Sequence, residues 1–112
     1  MAELKVVKVP KLVRDEMPAI WARFEDDVEY HIVQGEERSK ALLEKIVEEA
    51  EEIREDPNIE EFADLYEVFI AALHDQGFTT NQLHDARVRK FQDRGGFGKG
   101  IYLTKFSWGP KR

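Results

Sequence analysis

Four acidic residues lie at symmetric positions about one short turn, and they constrain how the chain can fold. Glu49 and Glu52 precede a proline-containing breaker at 56–58, and Glu61 and Asp64 follow it. Each pair is spaced i,i+3, which places its two side chains on the same face of a helix. The position numbers of the outer two residues sum to 113, as do those of the inner two, so the pairs meet if two helices fold back at the turn. Clustered carboxylates repel unless a cation neutralises them, and hard oxygen ligands favour Mg²⁺, Mn²⁺ or Ca²⁺.

The segments on either side of the turn have the apolar patterns of packed helices. Between 38 and 55 apolar residues follow the 3.6-residue period, and Glu49 falls inside their stripe. Between 62 and 73 the chain is apolar nearly all round, as expected of a buried helix, apart from Asp64 and Glu67. A buried carboxylate must be paired, protonated or bound to a metal, so the sequence predicts a divalent-metal site here. A buried ion-pair network is the competing explanation, with Lys45, Arg14 and Arg94 as its candidate cations.

Weaker signals predict the remaining elements. Pro18 is tolerated in the first turn of a helix, which predicts a short helix at 18–25. Ser39 is a possible cap of the helix at 38–55, and Gly77 suits the C′ position of the second helix, at 58–75. The other predicted segments are a third helix at 80–93, a glycine-rich loop at 94–100, and short extended stretches at 4–9 and 101–108. The prediction is therefore an all-α chain forming a single domain over 1–112, built on an antiparallel helix pair.

The charge distribution excludes some classes of partner. The chain of 112 residues has a net charge of −6, with 13 acidic and 4 basic residues between 36 and 67 and 2 acidic and 8 basic residues between 84 and 112. An acidic middle and a basic tail suit a site that holds both a cation and a polyanion, or two segments that attract each other in the fold. The overall sign and the lack of a base-reading motif argue against duplex nucleic acid. No run approaches transmembrane length and cysteine is absent, so we expect no membrane partner and a cytoplasmic location.

Four motifs together resemble one known family. The order EExxE then ExxD, at 48–52 and 61–64, is the signature of the all-α nucleoside triphosphate pyrophosphohydrolases, the MazG-like superfamily that includes phosphoribosyl-ATP pyrophosphohydrolase. KLVRDEMP at 11–18, EFADLYE at 61–67 and RGGFGKGI at 94–101 are similar to segments of the phosphoribosyl-ATP pyrophosphohydrolase-like branch. The resemblance extends over about residues 10–103 in order. It implies a MazG-like helical bundle that hydrolyses a (d)NTP or related nucleotide to the monophosphate and pyrophosphate.

The resemblance also implies roles for particular residues. It makes four carboxylates the ligands of Mg²⁺, with Mn²⁺ as a possible substitute: Glu49, Glu52, Glu61 and Asp64. Glu48 is the candidate catalytic residue, which either orients the attacking water or completes the metal shell. Four cations are candidates for binding substrate phosphates: Lys11, Arg14, Arg94 and Lys99. For these the structural alternative is an ion pair between Arg14 and Asp15, and glycines that only turn the chain.

Two further expectations concern assembly and function. A lone helix hairpin leaves the apolar second helix under-covered, and MazG-like proteins are similarly oligomeric, so we expect a homodimer or homotetramer. The linker between Glu52 and Glu61 is shorter than in most of the superfamily, which argues against a large lid at that end. Two other functions remain open: a phosphoribosyl-ATP pyrophosphohydrolase of histidine biosynthesis, and a non-enzymatic helical binding module whose carboxylates only pair with the basic tail.

Overall fold

The computed structural model describes residues 9–111 and is all-helical, which confirms the predicted all-α class. Its elements are α1 (Met17–Arg23), α2 (Gly35–Glu55), α3 (Ile59–Asp75) and α4 (Thr80–Arg94). No strand occurs within 9–111, and residues 101–109 form neither helix nor strand. The predicted extended stretch at 4–9 lies almost wholly outside the described residues.

Helices α2 and α3 pack against each other. At one end, Ser39 Oγ in the second turn of α2 donates a 2.6 Å hydrogen bond to Asp75 Oδ2, in the last residue of α3. The Arg38 guanidinium lies 3.4 Å from the other oxygen of the same carboxylate. At the opposite end only residues 56–58 separate the two helices, so contacts close to this turn are fixed by chain connectivity.

The caps of these helices match the sequence signals at α3 but not at α2. Asn58 caps α3, because its side-chain oxygen accepts the backbone N–H of Glu61 at 3.1 Å. Gly77 follows the C-cap Gln76 with φ +86°, as expected of a C′ glycine. The prediction that Ser39 caps α2 is wrong: α2 begins at Gly35, and Ser39 bonds instead to Gly35 O and to Asp75.

The core between α2 and α3 is small. Its buried apolar residues are Leu42, Val68 and Ala72, and Leu12, Ile46, Leu65 and Ala71 pack against them. Within one chain α3 is covered only in part, as expected of a lone helix hairpin, because α2 alone of the described helices packs against it. Phe62, Tyr66 and Phe69 are exposed on α3, and Leu43 and Val47 are exposed on α2. These two helices therefore have apolar faces that their own packing leaves open.

The contacts within the chain divide it into two units, Met1–Thr80 and Asn81–Arg112. The second unit contains nearly all of α4 and the glycine-rich loop that follows it. Gly95 ends α4 in the left-handed conformation, with φ +78° and its N–H bonded to Phe91 O at 2.8 Å. Further along, the rings of Phe106 and Trp108 meet edge to face at 5.1 Å. The single domain over 1–112 stays a prediction.

Across residues 9–111, every helix is either too short or too polar to cross a bilayer.

Candidate metal centre

The turn between α2 and α3 positions the carboxylates of the candidate site. Asn58 donates from its side-chain amide to Asp56 O at 3.1 Å and to Asp56 Oδ2 at 3.2 Å, while its oxygen caps α3. This double role fixes the first turn of α3, where Glu61 lies. Glu49 and Glu52 lie in the last two turns of α2, on the face that meets α3. Both helix ends are thus held by one short segment.

Five carboxylates meet in two overlapping groups. Ligand oxygens of Glu48, Glu49 and Glu52 all lie within 4.8 Å of one another. Those of Glu49, Glu61 and Asp64 do the same, so Glu49 belongs to both groups. Glu49 is buried, at 6% exposure, and the other four residues are half-buried. The structure therefore brings together the four predicted metal ligands and Glu48.

Two oxygens in this cluster are buried without a partner. Among the described residues nothing hydrogen-bonds to Glu49 Oε2 or Glu61 Oε2. A side-chain hydrogen bond with Glu52 raises the pKa of Glu61, and burial and the charges of Glu52, Asp64 and Glu49 raise it further. Two carboxyl groups can share a hydrogen bond only when one of them is protonated. The contact between Glu52 and Glu61 therefore requires either a proton or a cation.

Three cations from the same unit contact the cluster. Lys45 Nζ lies 3.1 Å from Glu49 Oε1 and 3.2 Å from Glu48 Oε2. Burial lowers the pKa of Lys45, but hydrogen bonds to Glu49 and Glu48 outweigh it and leave the pKa raised, so the amine stays charged. Arg14 donates a 2.8 Å hydrogen bond to Asp64 Oδ1, and Lys11 Nζ lies 3.8 Å from Glu48 Oε1. An ion-pair network is thus present, and it includes Lys45 and Arg14 from the predicted competing set.

These cations do not balance the cluster. With all five carboxylates ionised, Lys11, Arg14 and Lys45 leave a net charge of −2, and a proton shared by Glu52 and Glu61 reduces it to −1. A divalent cation matches the deficit of the fully ionised cluster, and all the carboxylate oxygens are hard ligands of the type that Mg²⁺ and Mn²⁺ take. The unpartnered oxygens of Glu49 and Glu61 are suitably placed ligands, because each is buried and lacks a donor. The residues present therefore fit a divalent metal, and ion pairing alone does not satisfy them.

The remaining predicted site residues lie elsewhere in the chain. Arg94 is the last residue of α4 and Lys99 is exposed in the following loop, so both belong to the second unit. Their role as phosphate ligands stays a prediction. Glu67, like Asp64, was expected to be buried. In the single chain it is exposed, because α2 alone of the described helices packs against α3.

One feature beside the cluster was not predicted from the sequence. A shallow groove of about 520 Å³ lies along the outer face of α3. Its lining residues are Arg14, Ile59, Phe62, Ala63, Tyr66 and Glu67. The signal was present, since the five α3 residues recur at i, i+3, i+4, i+7 and i+8 and form one continuous stripe.

Comparisons of the chain with protein-family models, with curated proteins and with solved structures found no significant match.

Proposed function

We propose that this chain is a Mg²⁺-dependent nucleotide pyrophosphohydrolase, a MazG-like helical bundle built on an antiparallel helix pair. The observation that carries the proposal is the five-carboxylate cluster, with two buried, unpartnered oxygens and more carboxylates than contacting cations. The order of the motifs along the chain supports the same reading. A substrate of this class brings several negative charges to an already acidic site, so the reaction requires a cation between them.

Each group in the cluster has a role in this proposal. Glu49, Glu52, Glu61 and Asp64 would hold Mg²⁺ or Mn²⁺. When bound, such an ion neutralises phosphate charge and lowers the pKa of coordinated water. Glu48 would accept the proton of the water that attacks the α-phosphorus, while the α–β anhydride bond breaks to give a nucleoside monophosphate and pyrophosphate. Lys45 fixes Glu48 and Glu49 through its two contacts.

Two exposed cations are suited to receive the phosphates. The Arg14 side chain is 55% exposed although it contacts Asp64, so it has donors left for a phosphate. Lys11 lies beside Glu48, at the other side of the cluster. Arg94 and Lys99 complete the proposed phosphate-binding set on the basis of the motif alone.

The direct test is a screen for pyrophosphate release from canonical and modified (d)NTPs with Mg²⁺ or Mn²⁺. We expect release from at least one nucleotide and none when the metal is chelated. Phosphoribosyl-ATP belongs in the same screen, because turnover of that compound alone would indicate the enzyme of histidine biosynthesis. No release from any substrate would refute the enzymatic proposal.

We also propose that a second copy of the chain covers an apolar patch that α2 and α3 form near the C-terminal end of α3. There α2 and α3 form a second depression of about 190 Å³, which Leu43, Ile46, Phe69, Ala72, Leu73, Gln76 and Phe78 line. Its surface is almost wholly apolar, as is typical of permanent homodimer interfaces. The small core between the two helices leaves a lone copy marginally stable, which a symmetric pairing of these faces would correct.

A charge placed on this face should separate the copies. We expect Leu43→Asp to convert the dimer or tetramer to a smaller species, because Leu43 is half-exposed in one chain and would be enclosed between two. Light scattering after gel filtration gives the mass. Gln34→Glu adds the same charge at an exposed position outside the depression and should leave the mass unchanged. A monomeric wild-type chain would contradict this part of the proposal.

A further inference from the structure

The groove along α3 has the composition of a small-molecule site. Such sites are mostly apolar, with a few polar groups that fix the orientation of the ligand, and the lining of this shallow groove is of that kind. Two aromatic rings, those of Phe62 and Tyr66, lie one helical turn apart, and both are more than half exposed. Of the described residues that line it, Arg14 and Glu67 are the charged ones. An aromatic surface of this kind suits a planar ligand.

Arg14 connects the groove to the carboxylate cluster. Its guanidinium bonds to Asp64 at 2.8 Å, and its side chain also lines the groove. A molecule that fills the groove therefore lies next to the cluster, and Arg14 lies between the groove and the cluster. A nucleotide can occupy both places, because its flat base is joined through a sugar to its phosphates.

Glu67 is the polar group that remains for recognising the base. Among the described residues its side chain has no ion pair or hydrogen bond, and it is exposed one position after Tyr66. An ionised carboxylate only accepts hydrogen bonds, and its two oxygens accept two adjacent donors side by side. Of the four common bases only guanine presents two adjacent donors on its pairing edge, N1–H and the N2 amino group. Adenine, cytosine and uracil place an acceptor beside the donor.

We propose that this groove binds the base of a guanine nucleotide, with Phe62 and Tyr66 stacking on the ring and Glu67 accepting hydrogen bonds from N1–H and N2–H. The assignment rests on the proposed function for the position of the phosphates. Stacking on aromatic side chains supplies base affinity without selecting a base. The carboxylate supplies the selection.

A second copy of the chain is the rival occupant of the groove. A protein surface that covered it would remove the unpaired carboxylate of Glu67 from water, which is costly without a donor. The depression near the C-terminal end of α3 has almost no polar surface and fits a second copy better. The two depressions therefore differ in chemistry as they would if one binds a ligand and the other a subunit.

The experiment compares GTP, ITP and ATP in the wild-type chain and in Glu67→Gln, with Mg²⁺ present. ITP lacks only the N2 amino group, so it isolates one of the two hydrogen bonds. We expect wild-type kcat/KM to favour GTP over ATP by about 10- to 100-fold, which is the usual value of a good bidentate contact to a base. The side-chain amide of Glu67→Gln has one acceptor oxygen and one NH2 donor group, so it cannot accept from both N1–H and N2–H. The preference for GTP over ATP should therefore be lost. Glu60→Gln, an exposed carboxylate outside the groove, is the matched control and should retain it.

Binding of the product monophosphates GMP, IMP and AMP, measured by calorimetry, separates this inference from the proposed function. Turnover of several nucleotides without a guanine preference, or with one that Glu67→Gln leaves intact, would overturn the inference alone. Tighter binding of GMP that depends on Glu67, without turnover of any nucleotide, would keep the inference and refute the enzyme. No turnover and no selective binding would refute both. A wild-type dimer that buries Tyr66, detected as protection of its ring from iodination, would also overturn it.

Discussion

Combining Glu49→Gln with Asp64→Asn is expected to abolish Mg²⁺ binding and to reduce pyrophosphate release by at least about 100-fold. Glu49 belongs to both carboxylate groups, and Asp64 is the member that α3 contributes beside Arg14. Each change removes a charged ligand oxygen but keeps the size of the side chain, so the helices should still pack. Loss of the outer partners of a metal site alone costs 10- to 100-fold in affinity, and loss of two direct ligands costs more.

The control for this variant is Glu51→Gln with Glu60→Gln. It removes the same number of charges from the same two helices, at exposed positions without ion pairs among the described residues. It should bind Mg²⁺ and release pyrophosphate like the wild-type chain. Circular dichroism checks that both variants keep their helices. Mg²⁺ binding that survives Glu49→Gln with Asp64→Asn would favour the binding-module alternative, in which the carboxylates serve only ion pairs.

In the metal-free protein, the free energy of unfolding is expected to depend on pH through Glu61. The hydrogen bond with Glu52, burial and nearby carboxylates raise the pKa of Glu61 above its ordinary value of 4.5. Between those two values the folded chain binds more protons than the unfolded chain, so this group makes the free energy of unfolding fall as the pH rises. Above the raised pKa the stabilising proton is lost completely. The difference between the wild-type chain and Glu61→Gln isolates the effect of this group.

Mg²⁺ should reverse this loss at neutral pH. At about 100 times its Kd a ligand of the folded state adds about 2.7 kcal/mol, which corresponds to a rise in Tm of about 10 °C or more for a domain of this size. The rise should grow with pH, because the metal competes with the proton on Glu61. Thermal melts with Mg²⁺ and with a chelator, from pH 4 upward, measure both effects. A Tm that Mg²⁺ raises equally in Glu61→Gln would place the metal elsewhere.

Local patterns predicted the helices and the meeting of the carboxylates. The bounds of α3 and α4 agree with their capping and turn signals to within a residue or two, because those signals act over three or four positions. The i,i+3 spacing of the acids on both sides of a three-residue turn left little freedom in where they meet. Lys45 was identified only as one of three candidate cations, since sequence spacing does not show which of them reaches Glu48 and Glu49.

The burial of individual side chains on α3 could not be predicted from the sequence. Apolar residues on all sides of α3 predict that it is covered, but they do not say whether the same chain or another molecule covers it. The exposure of Tyr66 and Glu67 and the groove beside Arg14 follow from what α2 leaves open, which is a property of tertiary packing. The start of α2 at Gly35 was missed for a related reason: Ser39 bonds to Asp75 across the helix pair, a contact far away in sequence.

The three-residue turn at 56–58 determines the geometry of the candidate metal centre. Asn58 caps α3, so the angular position of Glu61 and Asp64 about the axis of α3 depends on their spacing from Asn58. Adding one residue to α3 before Glu61 would rotate the later side chains by about 100° and turn them away from Glu49. The cluster therefore requires the three-residue spacing from Asn58 to Glu61, although Asn58 is not a member of the cluster.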